Sequence, residues 1–237
     1  MPSDSVRVLE RDLRAIFGAR LQSLIVYGLH EPGREQAPVR TMALVETLTE
    51  QDLRACAGRV SAWHQTRVAT PLFMPARDFA RSLDAFPLEF AAIIADHEIV
   101  VGPGPFASAR VDPIDVRRAC EVQARSHLLH LREAFVEAAG NSDAVAILIV
   151  KSAAPLAALL QSVARLEGRT DHDSAAAARH AEHTLGVAGG TFADIVRLAA
   201  VQEIPAAEAE RLFPRYLAGV ERLVDYVDGW AQKRAEG

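Results

Sequence analysis

Residues 21–46 read LQSLIVYGLHEPGREQAPVRTMALVE, and this stretch decides the fold of the first half of the chain. A largely apolar segment, Leu21–Tyr27, is followed by Gly28, a polar loop and a second apolar segment, Val39–Val45. Short apolar segments bounded by glycine and polar residues are typical of buried strands. The sequence therefore predicts two strands that are joined by a glycine turn and a loop.

Helix and strand patterns alternate around this pair of strands. Apolar residues repeat at helical spacing from Val6 to Phe17, and Thr49 is a suitable N-cap for a further helix. Further strands are expected at 71–74 and 98–101, and the second ends at the glycine and proline residues of 102–105. We therefore expect an α/β domain over residues 1–106, a mixed sheet with flanking helices.

The strand patterns disappear after Val111. Asp112-Pro113 is a favourable helix start, because an N-cap residue precedes a proline at the first helical position. Helical periodicity then continues to the end of the chain in five segments, at 112–139, 142–166, 174–185, 191–202 and 205–233. Helices with short connections form bundles, so residues 112–237 are predicted to be an all-α helical bundle.

This order of elements resembles the nucleotidyltransferase superfamily. It is similar to bacterial nucleotidyltransferase-domain proteins of the kanamycin-nucleotidyltransferase type, in which a helical bundle follows the α/β domain. The stretch SLDAFPLEFAAIIADHEIVVGPGPF, residues 82–106, also resembles the end of that domain. In the family, a Phe-Pro-x-Glu-Phe strand is followed there by a strand that ends in glycine. The resemblance implies that 86–90 is a strand and that Glu89 is the remnant of a third carboxylate.

The family's catalytic signature is changed in this chain. In the family, the first strand ends in Gly-Ser and the second strand carries two metal-binding carboxylates at alternate positions. The corresponding residues here are Gly28-Leu29 and, in the best register, Pro38 and Arg40. The resemblance thus implies a nucleotide-binding region at Gly28, Leu29 and Arg40 without metal ligands. Glu89 is then the one candidate left for a catalytic role.

The missing carboxylates matter because nucleotidyl transfer uses two divalent metals to hold the attacking and leaving oxygens. Mg²⁺ takes carboxylate oxygens, and residues at i and i+2 of a strand point to the same face. No Asp or Glu pair with this spacing lies between Gly28 and Glu46. Arg40 would place a cation where the metal belongs. It is either a phosphate-binding substitute or an exposed strand arginine, alone or paired with Glu89.

Three hypotheses for function follow. The first is a degenerate nucleotidyltransferase that needs no cofactor and binds a nucleotide, another anion or a protein partner. The second is an active, Mg²⁺-dependent transferase that modifies a small molecule or a protein, with carboxylates from Glu31, Glu35 or Glu46 together with Glu89. The third is an RNA-directed module, because Arg125 and His130 have the Arg-x4-His spacing found in HEPN domains.

Four histidines raise a metal hypothesis for the bundle. His127 and His130 are three residues apart on one predicted helix, and His180 and His183 are three apart on another. Each pair shares a helix face, and four imidazoles from two facing helices can bind zinc. The Glu-x-x-His pattern of bundle metal sites is absent from these segments. We therefore expect polar surface histidines and no metal.

Composition limits the remaining possibilities. The 237 residues carry a formal charge of −5, which argues against nucleic-acid binding. Two cysteines, Cys56 and Cys120, form neither a disulfide framework nor a metal knuckle, which favours a reducing compartment. The N-terminus lacks a signal-peptide pattern, and the most apolar window, 144–160, is interrupted by Lys151, Ser152 and Pro155. We expect a cytoplasmic protein, with no membrane partner and with apolar helices that would allow a homodimer.

Overall fold

The computed structural model describes residues 4–30, 37–106, 109–169 and 173–235. The chain divides into two compact units, Met1–Asp112 and Pro113–Gly237. The N-terminal unit is an α/β domain and the C-terminal unit is all-helical, so the predicted fold class is confirmed.

The N-terminal unit is built on a four-stranded mixed sheet with the strand order β3-β2-β1-β4. β1 pairs antiparallel with both β2 and β4, whereas β2 and β3 are parallel. The elements are, in chain order, α1 (Asp4–Phe17), β1 (Leu21–Tyr27), β2 (Arg40–Val45), α2 (Glu50–Ala57), α3 (Val60–Gln65), β3 (Leu72–Pro75), α4 (Ala76–Ala85), α5 (Pro87–Ala95) and β4 (His97–Val101).

Helices cover both faces of the sheet. Consecutive strand residues point to opposite sides, so each strand contributes side chains to both layers. On one face, Leu24 and Val26 pack with Leu9 and Leu13 of α1 and with Trp63 of α3. On the other face, a second apolar cluster includes Ile25, Met42, Phe79, Phe90 and Ile93. β1 therefore reads as an almost continuous apolar run, as expected for a strand that is buried on both sides.

The strand expected at 86–90 is wrong, because this segment belongs to helix α5 (Pro87–Ala95). Pro87 occupies the first turn, where proline is tolerated because its missing N–H has no helical partner in any case. Phe90 and Ile93 are three residues apart and both are buried against the sheet. Helical spacing of apolar residues thus decides the structure of this segment.

A charged contact joins the start of β1 to α2. The Arg20 guanidinium donates two hydrogen bonds to the Asp52 carboxylate, at 2.8 and 2.7 Å. Thr49 is the N-cap of α2, as the sequence predicted, and Asp52 completes a capping box with it. Hydrogen bonding from Arg20 is the main reason that the pKa of Asp52 is held well below its ordinary value.

The end of β4 comes very close to β1. Gly102 has a φ of +76°, and a Cβ placed there would lie 1.8 Å from the backbone oxygen of Gln22. Both the conformation and the close approach require glycine. Gly18 has a φ of +54°, but no atom lies within 4 Å of an added Cβ.

The C-terminal unit is a helical bundle, as predicted. Its helices are α6 (Pro113–Glu137), α7 (Ser142–Leu166), α8 (Ser174–Leu185), α9 (Thr191–Arg197) and α10 (Ala206–Ala235). Side-chain caps begin two of them: Asn141 accepts from two backbone N–H groups of α7, and Asp173 accepts from one of α8. Gly186, in a left-handed conformation, ends α8.

Helix α7 is long and apolar enough to cross a membrane by length and composition, and no other described helix meets this test. However, 44% of its most apolar window is buried inside the protein. Residues such as Ile149, Leu156 and Leu160 pack against the neighbouring helices. The composition of α7 is thus explained by a core position in the bundle.

The two cysteines are separate buried thiols, one in each unit. Cys56 lies in α2 and Cys120 in α6, and neither forms a disulfide. Burial raises the pKa of Cys56 to about 11 and the pKa of Cys120 to about 12. Both side chains therefore remain protonated and act as small apolar groups in the cores.

We expect Asp52→Asn to lower the melting temperature at pH 7 by roughly 5 °C or more, because the Arg20 pair and the capping box lose their anion. The pKa of Asp52 is lower in the folded state than in the unfolded state. Ionised Asp52 therefore stabilises the fold fully above the ordinary pKa of about 3.9, and this stabilisation is lost as the pH falls below that value. The difference between wild type and variant should therefore shrink towards pH 2. Thermal unfolding measured by circular dichroism from pH 7 to pH 2 tests this.

Glu50→Gln is the control, because Glu50 is exposed and pairs with Arg54 at the surface, so its replacement should change the melting temperature little. A difference that is constant with pH would contradict the role of Asp52.

Gly102→Ala should destabilise the protein more than Gly18→Ala does. Both changes impose a left-handed conformation on alanine, at a cost of about 1–2 kcal/mol. Only Gly102→Ala also drives a methyl group into the Gln22 backbone, which adds about 1–3 kcal/mol of overpacking. Urea unfolding of the two variants measures the difference. Equal losses would show that the approach of the two strands relaxes without cost.

Candidate functional site

The turn after β1 is the centre of the candidate site. Gly28 has a φ of +67°, and its N–H donates to the backbone oxygen of Asp96 at 3.0 Å. Asp96 immediately follows α5 and precedes β4. The glycine turn is thus attached to the segment from which the neighbouring strand begins.

A buried carboxylate fixes the residue after this turn. The Asp96 side chain accepts a hydrogen bond from the His30 N–H at 2.9 Å, and its other oxygen lies 2.8 Å from His30 Nδ1. Asp96 is only 5% exposed, whereas the His30 side chain is 71% exposed. The carboxylate therefore holds the backbone of the turn and orients an imidazole that remains open to solvent.

Three polar side chains form a row across the end of the sheet. Tyr27 of β1 is opposite Arg40 of β2 and opposite His97 of β4. Paired residues of antiparallel strands share a face, so a guanidinium, a phenol and an imidazole lie side by side. The Arg40 guanidinium carbon is 5.1 Å from the centroid of the Tyr27 ring. His97 contacts Phe106, which belongs to the apolar cluster on the same face.

Arg40 also covers the glycine turn. A Cβ added at Gly28 would lie 2.0 Å from Arg40 Nη2, so the guanidinium occupies the space beside the glycine. Pro38 precedes β2 and lies two residues before Arg40, the spacing of the carboxylate pair in the family that the sequence resembles. The structure thus places a cation, stacked on an aromatic ring, next to the turn.

Leu29 does not present its side chain to this row. It packs against the apolar cluster on the α1 face of the sheet. Thr41, which follows Arg40, is buried, and its hydroxyl has no hydrogen-bond partner among the described residues. It is opposite Val26, which belongs to the α1-side cluster, so its side chain also points away from Arg40.

Two of the four carboxylates considered from the sequence, Glu46 and Glu89, belong to the described residues. Glu89 lies exposed in the first turn of α5, and Glu46 follows the far end of β2 from Arg40. Six strand residues span roughly 20 Å, so Glu46 is remote from the row. Glu31 and Glu35 lie outside the described residues. Within the described ranges, no cluster of three or more histidine, cysteine or acidic side chains is arranged to bind a metal.

Three of the four bundle histidines have separate hydrogen-bond partners, and the fourth is exposed. The Nε2 atom of His127 lies 2.6 Å from the Tyr216 hydroxyl, and His130 contacts Glu133 at the surface. His180 bonds to Glu167, and His183 is exposed. They form no common ligand set in the described part of the bundle.

Arg125 and His130 likewise have different partners. Arg125 pairs with Glu121 of its own helix and with Asp228 of α10, both at 3.1 Å. His130 is 75% exposed and bonds to Glu133. Arg125 and His130 thus contact different carboxylates, and these contacts do not bring the two side chains together in one site.

The structure places Gly28 and Arg40, which the sequence suggested, near Tyr27, His97, His30 and Asp96, which the sequence did not suggest. In the sequence, Asp96-His97 stands at the start of one strand and Tyr27-Gly28 at the end of another. That signal becomes specific only when the pairing of β1 with β4 is known, because the pairing brings residues about 70 positions apart into contact.

Comparison with known proteins agrees with the fold. The structure is similar to the crystal structure of spectinomycin adenyltransferase AAD(9) from Enterococcus faecialis with ATP and spectinomycin, with a TM-score of 0.55 and 9% sequence identity. The alignment covers 96% of this chain and 100% of the other. No protein-family model and no curated protein sequence matches the chain. At this low identity the likeness shows the fold alone: the chain has a nucleotidyltransferase-like fold.

Proposed function

We propose that this protein binds the phosphate groups of a nucleotide, without metal-dependent nucleotidyl transfer, at the row formed by Arg40, Tyr27 and His97. The observation that carries the proposal is the position of the Arg40 guanidinium, stacked on Tyr27 and in contact with the Gly28 turn. The similar adenyltransferase was solved with ATP, which makes a nucleotide the first ligand to test.

The chemistry of Arg40 suits a phosphate better than a metal. A guanidinium is always charged and offers a planar fork of donors that matches two phosphate oxygens. Stacking on Tyr27 restricts its orientation, which reduces the conformational entropy lost on binding. A divalent cation at the same place would be repelled by this charge and would find Pro38 where a carboxylate is needed.

The neighbouring groups support an anionic ligand. Gly28 has no side chain, so the Arg40 guanidinium lies directly beside the turn, and an anion bound to it would lie close to the turn as well. His97 Nδ1 lies 3.0 Å from the Ile94 carbonyl and donates to it, which fixes the orientation of the ring at the end of the row. His30 adds an exposed imidazole two residues beyond Gly28.

The test is a thermal-shift comparison with ATP, GTP, CTP and UTP, each with and without Mg²⁺. A nucleotide present at about 100 times its Kd stabilises the folded state by about 2.7 kcal/mol. We expect a shift that does not require Mg²⁺, that is lost in Arg40→Gln and that survives in Arg77→Gln. Arg77 is the matched control because it is an exposed arginine of α4 in the same unit.

Two other results would contradict the proposal. A shift that depends on Mg²⁺, together with transfer of labelled nucleotide to an acceptor that Glu89→Gln abolishes, would establish the active transferase with unusual carboxylates. No shift with any nucleotide would remove the nucleotide site and leave the fold as a protein-interaction scaffold.

A further inference from the structure

The bundle contains a groove that the proposed nucleotide site does not use. It lies between α6 and α7 and has a volume of about 540 Å³. That volume falls within the range of small-molecule sites, about 300–1,000 Å³. All residues that line it belong to these two helices, so the groove is a feature of the C-terminal unit.

The walls of the groove are mainly apolar. The apolar residues that line it include Val122, Leu131, Leu148, Pro155 and Leu159. Val122, which lines the groove, is 68% exposed. A ligand with an extended hydrocarbon part would remove this surface from water.

The floor of the groove is polar, hydrogen-bonded and neutral. Ser152 donates to the Ile149 carbonyl at 2.8 Å, and the Tyr216 hydroxyl donates to Ser152 Oγ at 3.1 Å. The hydroxyl proton of Tyr216 is thus used, and His127 Nε2–H must donate to the Tyr216 oxygen. Burial lowers the pKa of His127 and raises the pKa of Tyr216, so both groups are uncharged near pH 7.

Lys151 supplies the charge of the groove. The chain has 31 acidic residues, yet none of the residues that line the groove is Asp or Glu. Lys151 forms no ion pair with a carboxylate of any residue that the structure describes. His130 at the rim already contacts Glu133, so Lys151 alone offers an ammonium group to a ligand.

We propose that this groove binds an amphiphilic monoanion, an elongated hydrocarbon chain with one carboxylate that pairs with Lys151. The tail lies along the apolar walls between α6 and α7. The hydrogen-bonded floor closes the groove without adding a competing charge. The site is independent of the nucleotide site, because every residue that forms it belongs to the C-terminal unit.

The probe is dodecanoate, used below its micelle concentration with the full chain and titrated by calorimetry. Dodecan-1-ol is the neutral counterpart of the same length. We expect wild type to bind dodecanoate, and Lys151→Met to raise its Kd by about tenfold or more, as for a lost charged hydrogen bond. The affinity for dodecan-1-ol should change little. Arg118→Met is the matched control, because this exposed arginine of α6 does not line the groove.

A second variant tests the location. Ala158 is an exposed residue of α7 that lines the groove, and Ala158→Phe would place a ring in it. This change should abolish binding of both probes while circular dichroism and thermal unfolding remain as in wild type. Binding that Lys151→Met leaves unchanged, or that survives Ala158→Phe, would overturn the proposal.

Sedimentation equilibrium of wild type and of Ala158→Phe examines the other occupant, a second copy of the chain. A monomer that binds dodecanoate supports the proposal. A dimer that Ala158→Phe dissociates, with no dodecanoate binding by wild type, would show that the groove is a protein interface and would overturn it.

Discussion

The pairing of β1 with β2 is the constraint on which the candidate site depends. Tyr27 is opposite Arg40, and only in this register does the guanidinium reach both the Tyr27 ring and the Gly28 turn. A slip of one residue would move the Arg40 side chain to the α1 face, which is filled by Leu24, Val26 and Trp63. The apolar faces of the two strands therefore determine which polar groups meet at the edge of the sheet.

In the N-terminal unit, the residues that form the core are different from those that form the candidate site. The two apolar clusters on either side of the sheet are fully buried, whereas Arg40 and His97 are half-buried and Pro38 is exposed. A change of residue at position 38 or 40 alters the chemistry at the end of β2 without touching the core. A nucleotidyltransferase-like fold can thus persist with a different set of polar groups.

Local patterns in the sequence predicted most of the fold. The apolar runs of β1 and β2, the Thr49 cap and the Asp112-Pro113 helix start are each recognisable from neighbouring residues. The strand expected at 86–90 came from the resemblance and was wrong, although Pro87 and the spacing of Phe90 and Ile93 indicate a helix.

Only part of the candidate site could be found in the sequence. The Gly28 turn and Arg40 follow from the position of the strands in the sequence. The contributions of His97 and Asp96 depend on the pairing of β4 with β1, which no local pattern contains. Likewise, nothing near Lys151 in the sequence indicates that α6 and α7 leave a groove beside it.

The two buried thiols provide a separate reporter for each half of the molecule. Cys56 belongs to the α/β unit and Cys120 to the bundle, and both are shielded from reagents while their unit is folded. An alkylating reagent reaches each sulfur only through local opening or unfolding. The rates of modification of the two cysteines, separated by peptide mass, would therefore reveal which half opens first and whether the halves open together. The natural sequence allows this comparison without an introduced label.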